Sequence, residues 1–168
     1  MFLLIVYIKL IGIKMNKHIT HNAWMKITTA ISEFSTCRIK IGAIIIKSNM
    51  IVGTGYVGSI SQDKHCNDTE CLLVDNYNTY GSSALGKSCI RTIHAEANAV
   101  LKCIERGNNI DGWLISYCTY QPCLNCIKLL LSIGVRKIYY YYPYTDLHRD
   151  YYLKNCNITL LIKQIENV

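Results

Sequence analysis

Two short motifs constrain the fold of this chain more than any other feature of its sequence. The first is H-A-E, from His94 to Glu96, and the second is P-C-L-N-C, from Pro122 to Cys126. Apolar residues follow each motif at helical spacing, so each motif is predicted to lie at the start of a helix. Zn²⁺ is bound in proteins by Cys sulfur and His nitrogen in a tetrahedron. The two helices must therefore begin side by side if His94, Cys123 and Cys126 share one metal ion.

The segments around the two motifs predict an α/β domain. Helices are predicted over 94–106, ended by Gly107, and over 122–133, with Pro122 in the first turn and Gly134 after the end. The predicted strands of this part are 113–119, 137–142 and 158–162. Strands and helices that alternate in this way form a layered sheet with partly parallel pairing.

The first half of the chain predicts a helix, a hairpin and a long insertion. Apolar residues recur at helical spacing over 20–35. The β-branched segment 41–47 and the segment 50–56 are predicted strands joined by a turn at residues 48–49. Residues 58–90 mix Gly, Ser, Asn and Asp with Cys. A loop of this length inside a compact domain indicates either a binding role or a metal ion that holds the loop together.

Composition narrows the class of protein. A chain of 168 residues with 51% hydrophobic and 17% charged residues is expected to fold as one domain and not to be disordered. The net charge of +7 fits an anionic partner such as a nucleotide, a nucleic acid or a membrane surface. The basic residues are scattered, however, so an ordinary solvated basic surface is an equal alternative. Nine Cys in a cytosolic protein indicate metal ligands or catalytic thiols.

The apolar N-terminal run, residues 2–13, is interrupted by Lys9 and is too short to span a bilayer, which takes about 20 apolar residues. It lacks the basic stretch and the cleavage site of a signal peptide. From Met15 the sequence is typical of an amphipathic start. We therefore predict a dispensable extension over 1–14, a single domain over 15–168, a cytoplasmic location and no membrane contact.

The chemistry of the two motifs is that of a catalytic zinc site. His94, Cys123 and Cys126 supply three ligands, and a catalytic site keeps its fourth position for water. Zinc lowers the pKa of that water from about 15.7 toward about 7, so hydroxide is available at neutral pH. Glu96 lies two residues from His94, where it can transfer the water's proton. The alternative is a closed zinc site that only stabilises the fold, which would need a fourth ligand and would leave Glu96 without a role.

H-x-E with P-C-x-x-C is the pattern of zinc-dependent nucleobase deaminases, and from about residue 15 onward the chain resembles the deoxycytidylate (dCMP) deaminase family. The matching segments are 35–37 (STC), 41–43 (IGA), 55–56 (GY), 65–66 (HC), 89 with 91–96 (RTIHAE) and 119–123 (TYQPC). The resemblance implies a three-layer α-β-α cytidine deaminase-like fold with a mixed five-stranded sheet. It also implies zinc-dependent hydrolysis of dCMP to dUMP, which supplies thymidylate synthesis, in a homo-oligomer, usually a hexamer, regulated by dCTP and dTTP with Mg²⁺.

The insertion is a further point of resemblance. The 37 residues from 57 to 93 separate the strand from the H-A-E helix, as in dCMP deaminases and unlike tRNA adenosine deaminases. Some family members hold a structural zinc there, which implies Cys66, Cys71 and Cys89 as ligands. The resemblance implies Cys37 as the fourth ligand, with His65 as the alternative. Free thiols that bind no metal are the other interpretation.

The nucleotide contacts differ from the family pattern at one position. The family commonly reads G-Y-N-G, and its Asn contacts the sugar, whereas this chain has Val57, which cannot form a side-chain hydrogen bond. Either Ser59 or the backbone replaces this contact, or the substrate preference has shifted. The resemblance also implies substrate contacts from Ala95 and Tyr144, and a phosphate or effector contact from Arg91. Ordinary packing of Tyr144 and a surface salt bridge of Arg91 are equal alternatives.

Three other functions stay open. The chain could deaminate another cytosine nucleotide, or a base in nucleic acid, where basic charge would contact phosphates. The Cys-bearing insertion and the absence of a clustered basic tail argue against nucleic acid. A catalytically silent zinc-binding module is the third alternative, and the presence of both motifs, including Glu96, argues against it.

Overall fold

The computed structural model describes residues 17–75, 87–107 and 112–166 of the chain. The helices in this part are α1 (Lys17–Ser32), α2 (Ala95–Glu105), α3 (Leu124–Ser132) and α4 (Leu147–Asn155). The strands are β1 (Gly42–Lys47), β2 (Met50–Tyr56), β3 (Gly58–Ser59), β4 (Leu73–Asp75), β5 (Lys87–Cys89), β6 (Thr92–Ile93), β7 (Leu114–Tyr120), β8 (Val135–Tyr142) and β9 (Leu161–Gln164). The expected extension over 1–14 lies outside the described residues, as do residues 76–86 of the insertion.

The central sheet has five strands in the order β2-β1-β7-β8-β9. Strand β1 is antiparallel to both of its neighbours, whereas β7, β8 and β9 run parallel. The predicted mixed five-stranded sheet is therefore confirmed. Two short ribbons, β3 with β6 and β4 with β5, lie outside this sheet and belong to the insertion.

The first hairpin forms because its turn residues accept an unusual backbone conformation. Ser48 and Asn49 have φ angles of 48° and 66°. Positive φ at both central residues defines a type I′ turn, whose twist matches the twist of paired strands. The prediction of a turn at this position is confirmed.

Helices cover both faces of the sheet, which gives the three predicted layers. On one face, α1 contributes Met25 to an apolar cluster with Ile44 and Tyr117 of the sheet. On the other face, Ala99 of α2 and Ile127 of α3 pack in a second cluster with the side chains of β1, β7 and β8. Alternate residues of each strand therefore point into different cores. The second core lies directly beneath the two motifs.

Two glycines let helices approach the sheet more closely than a side chain would permit. A Cβ atom on Gly55 of β2 would collide with the carbonyl of Ala95 and the amide of Ala99 in α2. A Cβ on Gly42 of β1 would collide with the backbone of α1 at Thr28 and Ser32. The start of α2 is thus fixed against the sheet by backbone packing.

Four features differ from the sequence-based prediction. The first helix spans Lys17–Ser32 and not 20–35. The last strand spans Leu161–Gln164 and not 158–162, because its position is set by pairing with β8, starting at Lys137 opposite Leu161. Helix α4 was not predicted, since it lacks a continuous apolar stripe; Asp146 caps its start and Leu153 packs on the core. Pro122 precedes the cap of α3 and does not lie in its first turn.

Candidate active site

The candidate site lies where the N-termini of α2 and α3 meet. His94 is the N-cap residue of α2 and Cys123 is the N-cap residue of α3, and neither side chain caps its own helix. Instead the two side chains face each other. The Nδ1 atom of His94 lies 3.4 Å from Sγ of Cys126 and 3.6 Å from Sγ of Cys123.

These distances fit a zinc ion. A tetrahedral centre with Zn–S of about 2.3 Å and Zn–N of about 2.0 Å places nitrogen and sulfur about 3.5 Å apart. The ligand atoms of His94, Cys123 and Cys126 all lie within 4.8 Å of one another. Three ligands leave one position of the tetrahedron for water or substrate, as a catalytic zinc site requires.

The electrostatics of these side chains also suit a cation. The hydrogen bond with Cys126 lowers the pKa of the Cys123 thiol to about 4. The hydrogen bond with Cys123 raises the pKa of His94 to about 9. The thiolate of Cys123 is therefore present at neutral pH, and the positive ends of two helix dipoles favour it further.

Glu96 lies beside these ligands. It belongs to the first turn of α2, is 4% exposed, and forms a hydrogen bond with the thiol of Cys126. Burial raises the pKa of its carboxyl group. A buried carboxyl with a raised pKa, next to a metal position, is suited to accept and return a proton.

Strand pairing positions both motifs. The β3–β6 ribbon places Gly58 opposite Ile93, so the chain enters the H-A-E motif from a paired strand. On the other side, the amide of Gln121 donates to the carbonyl of Tyr142, which extends the pairing of β7 and β8 up to the P-C-L-N-C motif.

The three predicted substrate contacts all lie next to the motifs. Ser59 pairs with Thr92 across the β3–β6 ribbon, and its buried hydroxyl has no hydrogen-bond partner among the described residues. Ala95 is the first residue of α2 and is fully buried. The amide of Tyr144 donates to the side chain of Gln121 at 3.4 Å, and its ring is 36% exposed. The neighbourhood agrees with the sequence interpretation, and contact with a nucleotide stays a prediction.

The four cysteines predicted for a second metal form a separate cluster. The sulfurs of Cys37, Cys66 and Cys71 lie within 4.8 Å of one another, and Sγ of Cys89 lies 3.7 Å from Sγ of Cys66. This distance excludes a disulfide, in which the sulfurs are about 2.05 Å apart, and fits the edge of about 3.8 Å of a tetrahedral zinc–thiolate centre. Neither Cys89 nor His65, the alternative ligand, belongs to the group of three; Cys89 is half-buried beside Cys66, whereas His65 is exposed.

The environment of the cysteine cluster explains the departure at Val57. The Val57 side chain is buried against Cys37 and Cys66. Its amide donates to the carbonyl of Ile41, and its carbonyl accepts from the Ser35 hydroxyl at 2.8 Å. Val57 therefore acts as a packing residue of the cluster.

Arg91 forms the ion pair that the sequence left as one of two alternatives. Its Nη1 atom donates to the carboxylate of Asp63 at 2.7 Å, and its side chain is 11% exposed. The ion pair joins the insertion to the residue before β6. Sequence reasoning missed Asp63, and likewise Asp146 and Arg149 next to Cys123, because their contacts cross between distant parts of the chain.

Comparison with known proteins identifies the family. The family model for the cytidine and deoxycytidylate deaminase zinc-binding region matches residues 18–142. The chain belongs to this deaminase family. The matched region includes both motifs of the candidate site and the whole cysteine cluster, so the deaminase zinc-binding region accounts for most of the chain.

Deaminases are also found among the individual relatives. ComE operon protein 2 of Bacillus subtilis (strain 168) is 39% identical over 107 residues, 63% of this chain and 50% of that protein. The deoxycytidylate deaminase of Mycobacterium phage D29 is 34% identical over 121 residues, 70% of this chain and 90% of that protein. The dCMP deaminase of cyanophage S-TIM5, solved in complex with dCMP and dUMP, has a TM-score of 0.64 and 29% identity over 84% of this chain and 93% of that chain. This match confirms the predicted cytidine deaminase-like fold.

The match spans only half the length of the Bacillus relative but nearly all of the two phage deaminases.

Within the described residues, none of the helices of this chain combines the length and apolar character needed to cross a membrane.

Proposed function

We propose that this chain is a zinc-dependent deaminase that hydrolyses dCMP to dUMP and ammonia. One observation carries the proposal: His94, Cys123 and Cys126 lie at the distances of a tetrahedral zinc centre, with the buried carboxyl of Glu96 beside them. A structural zinc site would have no use for this buried carboxyl, which costs free energy to desolvate.

The metal and Glu96 have different roles in the proposed reaction. When bound, zinc lowers the pKa of its water so that hydroxide forms near neutral pH. Glu96 accepts the proton of the attacking water and donates it to the cytosine ring, and it then assists protonation of the departing amine. One water is consumed, and one ammonia is released. The raised pKa of Glu96 supports this role, because the carboxyl group must hold the proton between the two transfers.

A mononucleotide is the proposed substrate. Two phage relatives that match this chain over 90% or more of their own length are named as deoxycytidylate or dCMP deaminases, and one of them is solved with dCMP and dUMP. Ser59, Ala95 and Tyr144 are proposed to contact the nucleotide. Support for Ser59 comes from its buried hydroxyl, which has no partner among the described residues. A buried hydroxyl in a native structure normally forms a hydrogen bond, here with a ligand or a water.

The biological setting is part of the same proposal. A dCMP deaminase supplies dUMP for thymidylate synthesis, and we infer a cytoplasmic homo-oligomer. Regulation by dCTP and dTTP with Mg²⁺ would have to proceed without a side-chain hydrogen bond at Val57, because this side chain is apolar and packed on the cysteine cluster.

We further propose that Cys37, Cys66, Cys71 and Cys89 hold a structural zinc ion. The sulfur separations support it: those of Cys37, Cys66 and Cys71 lie within 4.8 Å of one another, and that of Cys89 lies 3.7 Å from that of Cys66. A zinc ion bound by four thiolates has no open coordination position, which makes the site a closed, structural one.

A substrate panel with a carboxyl variant tests the catalytic proposal. Zinc-loaded protein is assayed with dCMP, CMP, dCTP, deoxycytidine and a tRNA anticodon stem. We expect turnover of dCMP, and we expect Glu96→Gln to lower kcat by about 10²- to 10⁴-fold with its zinc retained. Glu105→Gln is the matched control, because Glu105 is exposed on the same helix.

The other outcomes of this assay would each contradict a stated part of the catalytic proposal. Turnover of the tRNA stem alone would replace the mononucleotide by nucleic acid as substrate. Turnover of no substrate by the zinc-bound protein would overturn the enzyme proposal in favour of a silent zinc-binding module. Full activity of Glu96→Gln would show that another group transfers the proton.

A further inference from the structure

The segment at the start of α4 makes unusual contacts with the Cys123 turn. Asp146 is 1% exposed and Arg149 is 3% exposed, although both carry a charge. Burying charged groups costs free energy that ion pairing seldom recovers in full. These two buried charges lie 20 residues or more from the P-C-L-N-C motif in sequence but contact it, so they call for a role beyond general stability.

The Asp146 carboxylate caps two helices at once. Its Oδ1 atom accepts a hydrogen bond from the amide of Arg149 at 3.0 Å, which caps its own helix. Its Oδ2 atom accepts from the amide of Leu124 at 2.9 Å, which is the first residue of α3. The N-cap residue of α3 is Cys123, whose side chain makes no capping bond. Asp146 thus binds one of the amides at the start of α3 that have no partner within the helix, and the Cys123 thiol is left to face His94.

Arg149 holds the peptide on the other side of Cys123. Its Nη1 atom donates to the carbonyl of Pro122 at 3.3 Å and to the carbonyl of Tyr144 at 2.8 Å. The Nε and Nη2 atoms of the same guanidinium bind the exposed carboxylate of Asp150 at 2.8 Å, which orients the group. The Pro122 carbonyl belongs to the peptide before Cys123, and the Leu124 amide belongs to the peptide after it.

We propose that Asp146 and Arg149 are positioning residues of the catalytic zinc site, because together they fix both peptide groups that flank the ligand Cys123. The inference rests on the proposed function, in that it takes Cys123 to be a zinc ligand. Groups that orient a ligand from outside the coordination sphere commonly change metal affinity by 10- to 100-fold when they are removed. Arg149 also holds Tyr144, a proposed nucleotide contact, through its carbonyl.

The variant Asp146→Ser separates positioning from helix capping. Serine is as good an N-cap residue as aspartate, so α4 keeps its cap. The shorter side chain does not reach α3, so the Leu124 amide loses its acceptor. Zinc affinity is measured by competition with a chromogenic chelator, and site geometry by the thiolate-to-metal absorption of the cobalt(II)-substituted protein. Cys123→Ser removes a proposed ligand of this site, so the part of each signal that it abolishes belongs to this site and the rest to the cysteine cluster.

We expect Asp146→Ser to bind zinc at this site 10- to 100-fold more weakly and to alter the cobalt spectrum, with little change in the melting temperature of the metal-free protein. Lys154→Gln is the matched control and should bind zinc as the unaltered chain does, because Lys154 is exposed in the last turn of α4. Unchanged zinc affinity and an unchanged cobalt spectrum in Asp146→Ser would overturn the inference.

Two further outcomes are decisive. If Asp146→Ser does not fold, Arg149→Lys takes its place, since a single ammonium cannot reproduce the fork that reaches Pro122 and Tyr144; wild-type zinc affinity in that variant overturns the inference. If the unaltered protein shows no cobalt signal that Cys123→Ser removes, the zinc site itself is wrong, and both the proposed function and this inference fail.

Discussion

At the scale of single residues, the three proposed zinc ligands differ in protonation. The pKa of His94 is raised to about 9 by its hydrogen bond with Cys123, so its ring carries an extra proton at pH 7. The pKa of Cys126 is raised well above its ordinary value, chiefly by the hydrogen bond with Cys123 and by burial, so this thiol is also protonated. The pKa of Cys123 is lowered to about 4, and this sulfur is already a thiolate. Zinc requires neutral imidazole and ionised thiolates.

Zinc binding at this site should therefore release protons. His94 gives up one and Cys126 gives up one, so about two protons leave per ion at pH 7. This holds at pH values above the pKa of Cys123 and below the pKa values of His94 and Cys126. In that range the apparent zinc affinity should fall by up to about a hundredfold for each pH unit of acidification. Chelator competition at several pH values measures this slope, with Cys123→Ser as the reference for the second site. An affinity that does not change between pH 8 and pH 6 would contradict the proton assignments.

At the scale of secondary-structure elements, backbone packing of α2 on β2 determines where the H-A-E motif begins. Gly55 lies directly beneath Ala95 and Ala99, with no side chain between helix and strand. Any outward movement of α2 would carry His94 and Glu96 away from Cys123 and Cys126. The geometry of the site thus depends on a residue that takes no part in its chemistry.

Gly55→Ala should lower both stability and zinc affinity. The added methyl group would collide with backbone atoms that cannot move independently, and overpacking of this kind costs about 1–3 kcal/mol in the free energy of unfolding. Urea denaturation of the zinc-loaded protein measures the cost. Gly58→Ala is the control, because a Cβ at that position would meet its nearest atoms at 3.4 Å or more; we expect a change below about 0.5 kcal/mol. Equal effects of the two variants would show that the close approach of α2 is unimportant.

How far the sequence predicts this structure depends on the range of the interactions. The turn at Ser48 and Asn49 and the two helix starts were predictable, because turn chemistry and apolar spacing act locally. Strand β9 was misplaced, since its register comes from β8, and α4 was missed because packing and a cap maintain it. The same holds at the site: residue type and spacing reveal His94 and Cys123, but nothing near Asp146 in the sequence points to α3.

At the scale of the whole molecule, the cysteine cluster and the candidate active site share one short stretch of chain. Cys89 packs with the cluster, Arg91 pairs with Asp63 of the insertion, and His94 follows the paired strand β6. The insertion therefore supports the strand that leads into the H-A-E motif.

Cys66→Ser should remove the structural zinc and weaken the fold. Zinc content should fall from about two ions per chain to about one, and the melting temperature should fall by on the order of 5–10 °C, because a structural zinc contributes directly to folding free energy. Metal analysis and differential scanning calorimetry provide the two readings. Cys156→Ser, which changes a half-buried cysteine after α4, should keep both ions. Unchanged zinc content in Cys66→Ser would favour the free-thiol interpretation.

The stretch from Cys89 to His94 has a consequence for how the protein matures after synthesis. One end carries a proposed ligand of the structural zinc, and the other end carries a proposed ligand of the catalytic zinc. Once the insertion has closed around its own metal, the strand that leads to His94 should be better ordered, so the structural zinc should strengthen the catalytic site without being required for it. In a cell short of zinc, chains that lack the structural ion should therefore form an enzyme of reduced activity.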